Sequence, residues 1–528
     1  MTPTQKRHRP QHRQTPEAHS LPALAAAIDV LERVLEFERP ADAVLSYTFR
    51  NEPMLGSHDR AFIAEAVYGV LRRLRSLRTL VATAAEPLAD TPPYGTGVPL
   101  AGTAEPLADT PPYGTGVPLA GAAEPLADTP PYGTGVPLAG TAEPLADTPP
   151  YGTGVPLAGT AEPLADTPPY GTGVPLAGTT PRRLLLAWLA RHGGINMRQF
   201  EGAVKESELG WLKEMKSADL STQPEAVRLE LPDWLYERLR ARFGPHLPAL
   251  AEALSRPAPL DLRVNTVKMQ RDEIIKMFAA DGLSATPTPY SPLGLRLQGK
   301  PALQKHPLFI EGGVEVQDEG SQLLGLLLAP KRGEMVCDFC AGAGGKTLLL
   351  GALMANTGRL YAYDVAEKRL NNMKPRLSRS GLSNVHPQLI AHERDPKIKR
   401  LAGKFDRVLV DAPCSGLGTL RRNPDLKWRQ SPESLRELGV KQAAILESAA
   451  RLVKKGGRLV YATCSPLEEE NENIVLAFLT AHPDYSLLPA GKVLAAQNIQ
   501  IEMGDFLRLD PAIHNTDGFF AAVLERSA

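Results

Sequence analysis

From Lys331 onward the chain alternates short apolar runs with helical patterns, and that alternation constrains the fold more than any other feature. The runs are EMVCDFCAG, RLYAYDV, VHPQLI, FDRVLVDAP and GRLVYATCS. Between and after them come GKTLLLGALMAN, AEKRLNNMKPRLSRSG, PESLRELGVKQAAILESAARLVKKGG and LEEENENIVLAFLTAHP, with apolar residues at helical spacing. A strand buried on both faces reads as a near-continuous apolar run, and strands joined by helices pair in parallel. The expected fold class over 331–528 is therefore α/β, a doubly wound parallel sheet.

Upstream the pattern changes twice. LDLRVNTVK, RDEIIKMFAADG, GLRLQG and LFIEGGVEVQ predict a small α+β segment over 256–330. Before it, LPALAAAIDVLERVLEF, HDRAFIAEAVYGVLRRLRSLRTL and LPDWLYERLRARFG predict a helical domain over 21–255, with Asp59 and Pro232 near helix starts. Residues 86–180 interrupt that domain with five tandem copies of EPLADTPPYGTGVPLAG plus two variable residues, a period of 19. A fixed period can mark a solenoid, but four prolines and three glycines per copy oppose regular helix and strand. A disordered or loosely extended insertion is expected there, and residues 1–20 read as a basic flexible tail.

The repeat also hides the charge balance. The chain holds 59 basic and 59 acidic residues, and each copy contributes two acids and no Lys or Arg. Outside the five copies 59 basic residues face 49 acids, an excess that permits a polyanionic partner. Four cysteines are too few for a disulfide framework in 528 residues. No apolar run reaches the roughly 18 residues of a membrane helix, and the basic start lacks the apolar core of a secretory signal. A reduced, cytoplasmic setting is expected, with no membrane or metal partner, and the protein as a monomer.

In a doubly wound sheet, ligands bind beyond the carboxyl ends of the strands. The turn after Asp338, then Asp364, Asp411–Cys414 and Cys464 all fall there. The turn CAGAGGKT, Cys340–Thr347, fails the P-loop pattern because Cys340 stands where glycine is needed, and fails G-x-G-x-x-G at Thr347. It remains a tight strand-to-helix turn that lets a ligand approach the backbone. Asp364 ends the next strand, 19 residues after Gly345, where a carboxylate can hold ribose hydroxyls. Together they point to an adenosine-type cofactor, NAD or S-adenosylmethionine.

DAPCSGLG and YATCSP decide between these two. Hydride transfer needs no thiol pair, whereas methylation of a pyrimidine at carbon 5 needs a nucleophile on carbon 6 and help with its expulsion. The attacking thiol must also be activated, since a free one titrates near ~8.5.

DFCAGAGGKT, YDVAEKRL, DAPCSGLGTLRRNPDLKW and YATCSPLEEENE resemble the successive motifs of the bacterial RNA cytosine-5 methyltransferases, the RsmB and Nop2/Sun group. LRVNTVK and GGVEVQDEGSQL resemble the segment preceding the catalytic domain, and HNTDGFFAAVLER the terminal strand. HDRAFIAEAVYGVLRRL resembles the NusB-like helical domain of ribosomal RNA methyltransferases. The resemblance implies a Rossmann-like methyltransferase domain using S-adenosylmethionine to make 5-methylcytidine, with 16S ribosomal RNA the expected partner. It implies Cys464 as nucleophile, Cys414 in product release, and Asp411 beside cytosine and cofactor. Cys340, Ala341, Gly342, Ala343, Gly344, Gly345, Lys346 and Asp364 match its cofactor positions. Two departures stand out: the family turn usually reads CAAPGGKT, and its acid after the third strand has no clear counterpart in LIAHERD, where Glu393 is the candidate.

Other features have plainer readings beside functional ones. Cys337 and Cys340 form a CxxC with no second cluster, so core and turn roles outweigh zinc or redox chemistry. TLRRNPDLKWR after Cys414 can grip phosphates and stack a base, which nominates Arg421, Arg422, Lys427 and Trp428 for RNA; its alternative is a solvated loop anchored by one Trp. Glu468–Glu470 are explained by a helix start. The competing function is a non-catalytic RNA-binding or ribosome-assembly factor on a methyltransferase scaffold. A DNA cytosine methyltransferase would leave Cys464 unexplained.

Overall fold

In the computed structural model of the chain, residues 21–83, 179–195, 197–200 and 204–528 are described. The basic tail and nearly all of the repeat lie outside them.

The first part is helical, as its periodicity requires. Helices Leu21–Val34, Ala41–Asn51, Ser57–Arg72, Leu74–Thr83, Pro181–Arg191 and Glu206–Ser217 enclose one core that includes Ile63, Leu71, Leu77, Leu185 and Trp188. Asp59 does sit at a helix start, accepting the Gly56 amide at 3.2 Å. Gly69 is required where Trp188 crosses its helix, because a Cβ there would meet the indole at 2.2 Å. Helices Asp233–Phe243 and Leu247–Ser255 leave this core and share another with Leu417, Leu420, Leu426 and Leu467. They therefore clamp the two turns that carry Cys414 and Cys464.

The second part is a four-stranded antiparallel sheet: β1 Leu260–Val264, β2 Ala285–Pro287, β3 Gly294–Leu297 and β4 Val314–Val316, in the order β2-β3-β1-β4. Ile274 and Phe278 of helix Arg271–Ala280 fill its core with Leu262, Leu295 and Val314. Helix Glu319–Leu328, which the sequence reading groups with this segment, instead packs Leu323, Leu324 and Leu327 into the core of the third part.

The third part holds β5 Met335–Asp338, β6 Arg359–Asp364, β7 Val385–Leu389, β8 Phe405–Asp411, β9 Val453–Thr463, β10 Tyr485–Leu488, β11 Phe506–Leu509 and β12 Phe519–Arg526. The order is β7-β6-β5-β8-β9-β12-β10, with β11 also on β12. Pairings among β5 to β9 are parallel, and those of β12 with β9, β10 and β11 antiparallel. This is the doubly wound sheet expected, ending in an antiparallel edge. Strand alternation sorts the residues between two cores: Val460, Ala462 and Cys464 face one, Leu459 and Tyr461 the other. The chain order reverses beside β5, so the crevice opens beyond the carboxyl ends of β5 and β8. The run ARLVKKGG does not continue the preceding helix, which stops at Ala450; Val453 already pairs with Phe405.

Candidate active site

The glycine turn joins β5 to helix Gly345–Leu353. Gly342 and Gly344 take left-handed backbone, φ 55° and 86°, and a Cβ on Gly344 would meet Met373 Cγ at 2.5 Å. Glycine supplies the conformational freedom that this backbone requires. The turn is fastened from three sides. Asp364, at the end of β6, accepts the Gly342 amide at 2.8 Å and the Ala366 amide at 2.7 Å. Arg263 of β1 donates to the Gly345 carbonyl at 3.0 Å, and Arg376 to the Ala343 carbonyl at 2.7 Å. Arg376 and Arg379 in turn pair with Glu315 of β4, so the small sheet shapes the turn.

Beneath it, Asp338 is fully buried. One oxygen accepts from the Thr347 hydroxyl at 2.7 Å and the other has no hydrogen-bond partner. Burial pushes this carboxyl up to about 7, with Thr347 opposing and Asp411 adding to the rise. Lys346 is buried too and donates to Asp411, at the end of β8, at 2.6 Å. Burial alone would depress its ammonium; the charge and hydrogen bond of Asp411, then the nearby Cys464, outweigh that and raise it.

The two cysteine turns meet at this edge. Cys414 follows β8, Cys464 follows β9, and their sulfurs lie 3.3 Å apart as free thiols. The Cys464 amide donates to the Cys414 sulfur at 3.3 Å, and the Cys464 carbonyl accepts from the Gly418 amide at 2.8 Å. The Cys414 thiol is pushed well up, first by its hydrogen bond with Cys464 and then by burial. Cys464 lies near the Lys346 ammonium. The arrangement offers one thiol that holds its proton beside another facing a cation, which suits a nucleophile with a proton-bearing neighbour.

Cys340 packs against the core below the turn, and Cys337 lies inside that core. No group of three or more His, Cys, Asp or Glu placed to hold a metal occurs among the described residues. Glu393 is partly exposed beyond β7, and its carboxylate lies 3.7 Å from the Arg394 guanidinium. The neighbouring Asp395 instead starts helix Pro396–Lys399, accepting the Lys397 amide.

The basic loop requires a correction. The sequence nominates Arg421, Arg422, Lys427 and Trp428 for RNA, but the structure turns them inward. Arg421 donates to the Thr516 carbonyl and Asn515, and Arg422 bridges Asp517 at 2.6 Å and Asp318 at 3.0 Å. Lys427 donates to the Arg72 carbonyl, its ammonium depressed to about 8 by burial despite Glu230. Trp428 donates to the Leu71 carbonyl and packs on the helical core. Their cationic and N–H donors satisfy buried carbonyls and carboxylates where three parts of the chain meet.

Sequence reasoning also misses Glu470. Its side chain is fully buried, accepting the Ser415 amide at 2.8 Å, the Ser415 hydroxyl at 2.6 Å and Gln442 Nε2 at 2.9 Å. Three successive acids before a helix give no signal that the third faces inward. Arg263 and Arg376 are missed as well, although Arg263 lies within LRVNTVK.

Comparisons with known proteins give the chain's relatives. Residues 325–525 match the family profile described as 16S rRNA methyltransferase RsmB/F, and residues 231–304 its ferredoxin-like domain. A probable ribosomal RNA small subunit methyltransferase B of Synechocystis sp. is 37% identical over 301 residues, covering 56% of this chain and 67% of that protein. The ribosomal RNA small subunit methyltransferase B of Sodalis glossinidius is 34% identical over 336 residues, covering 62% and 74%. Among solved structures, a methyltransferase homolog protein from Pyrococcus horikoshii is 31% identical with a TM-score of 0.50, covering 58% of this chain and all of that one. NSun6 from Pyrococcus horikoshii with SFG, 23% identical, covers 56% and 98% with a TM-score of 0.51 and shares the fold.

Proposed function

The chain belongs to the 16S rRNA methyltransferase RsmB/F family, and from that membership we propose that it methylates carbon 5 of a cytidine in small-subunit ribosomal RNA through a transient bond between Cys464 and the base. S-adenosylmethionine, the cofactor, supplies an electrophilic methyl group on a positively charged sulfur. The donor set fits it: the carboxylates of Asp364, on the Gly342 amide, and Asp411, on the Lys346 ammonium, border the glycine turn, where acidic groups suit a cationic nucleoside ligand. The bare backbone of Gly342–Gly345 and the Asp364 carboxylate would hold the nucleoside, and Asp411 would border cofactor and base.

The chain's own residues then divide the work. Carbon 5 of cytosine is too weak a nucleophile to take a methyl group unaided. The Cys464 thiolate adds to carbon 6, forming an S–C6 bond and moving the ring's C5–C6 electron pair onto carbon 5. After methylation the carbon 5 proton leaves to solvent, the double bond re-forms and the S–C6 bond breaks. Cys414, with its proton retained, stabilises the departing Cys464 thiolate by donating to it. The supporting observation is the 3.3 Å approach of two free thiols beside Lys346 and Asp411. The target base must be unstacked to reach them.

Mapping 5-methylcytidine in small-subunit ribosomal RNA from cells with and without the protein tests this reading. A site lost on deletion and restored by wild type but not by Cys464→Ala is expected. An unchanged map would contradict it.

A further inference from the structure

Glu470 is a buried acid that the proposed reaction leaves without a role. Its neighbours Glu468 and Glu469 point outward and pair with Arg242 and Arg238, as acids at a helix start should. Glu470 turns inward instead, and its three carboxylate bonds all come from uncharged donors, Ser415 and Gln442. A carboxylate buried without a cation is costly. As a clamp alone it is an expensive choice, because a glutamine amide could accept the same amide hydrogens.

What it clamps is the Cys414 turn. Gln442 Nε2 also donates to the Pro413 carbonyl at 3.0 Å, so Gln442 and Glu470 together grip the residues on both sides of Cys414. The Glu470 carbonyl accepts the Tyr461 hydroxyl at 2.7 Å, and the Ser415 and Ser465 hydroxyls approach to 3.3 Å, tying the second cysteine turn to the same point. The ionisable groups acting on Cys414 are Cys464 and Glu470, both of which raise its thiol. Tyr461 behind them is itself raised, chiefly by burial and then by Cys414 and Glu470. Lys346, held by Asp411, acts on the Cys464 side. Negative charge thus lies on one flank of the thiol pair and an ammonium on the other.

We propose that Glu470 is a positioning residue that assigns the roles of the two cysteines: its carboxylate fixes the Cys414 turn and sets a negative group on the Cys414 flank of the thiol pair, leaving Cys464, on the Lys346 flank, as the sulfur that attacks. The proposal rests on the two-thiol reading of the function. No atom of Glu470 touches the base; it acts through the Cys414 sulfur.

The test is alkylation of the full-length protein without RNA, using iodoacetamide from about pH 6 to about 10, with each cysteine quantified by peptide mass spectrometry. In the wild type, Cys464 is expected to react in strong preference to Cys414. Glu470→Gln preserves shape and removes charge, and is expected to cut that preference roughly tenfold, one unit of differential ionisation. Glu470→Asp keeps the charge but shortens the reach to Ser415, and is expected to retain most of the preference. A Gln variant with the wild-type ratio at every pH would overturn the proposal. So would an Asp variant that loses the ratio, since geometry and not charge would then be responsible. If the Gln variant does not fold, the Asp result alone decides. Because no RNA is present, failure here leaves the methylation reading standing, whereas loss of the RNA map described above would sink that reading itself.

Discussion

Replacing Arg422 with Ala separates an internal strut from an RNA grip. The guanidinium is buried between Asp517 and Asp318, whose own backbone and side chain are joined by the Asp517 amide at 3.2 Å from Asp318. Removing it breaks two charge-assisted bonds and leaves two neighbouring carboxylates buried without their cation. Breaking a buried ion pair from one side costs about 3–5 kcal/mol. For a domain of this size that lowers Tm by roughly 10 °C, at about 3 °C per kcal/mol. The deficit should depend on pH. Burial, then Asp318, already lifts Asp517 to about 7 with Arg422 pulling it down. A raised acid contributes stability that is full below its unfolded value and lost as pH rises through its folded value. Without Arg422 the Asp517 carboxyl rises further, so the loss is largest near pH 8 and shrinks toward pH 5. Differential scanning calorimetry at both pH values reads this directly. A variant that melts within about 2 °C of wild type at pH 8 but binds RNA weakly would refute the reasoning and restore the RNA assignment.

Three further outcomes follow from the same geometry. Gly344→Ala forces left-handed backbone and a contact with Met373, and should weaken S-adenosylmethionine binding about tenfold by calorimetric titration, from roughly 1–2 kcal/mol of strain. An unchanged affinity would show that the turn does not shape the site. Asp338→Asn removes a carboxyl raised to about 7, so its Tm should gain on wild type between pH 5 and pH 8. A pH-independent difference would mean Asp338 is not the titrating group. A wild-type protein with no saturable affinity for S-adenosylmethionine would favour the scaffold reading over catalysis.

The sheet was legible because its central strands β5, β8 and β9 are largely apolar and buried and the connections between strands carry helical patterns, both of which local sequence shows. The paired cysteine turns were legible because they end two such strands, and topology brings strand ends together. Side chains whose partners are remote were not. Arg422 reads as basic and solvent-seeking until Asp517 and Asp318 are seen beside it, and Trp428 as a base platform until Leu71 is. The same donors that grip phosphates also satisfy buried carbonyls, so composition cannot separate the two. Glu470 was hidden by its register: Glu468 and Glu469 obey the helix-start rule, and one more residue of a tight turn rotates the third acid inward. β10 and β11 escaped notice because their pairing is set by β12, not by any pattern of their own.

The division of labour between the thiols is tested most directly by incubating Cys414→Ala and Cys464→Ala proteins with target RNA and S-adenosylmethionine, then resolving denatured protein–RNA adducts by gel and intact mass. The Cys414 variant should accumulate a covalent adduct and the Cys464 variant should form none. An adduct held by the Cys464 variant, with normal turnover in the other, would contradict the account.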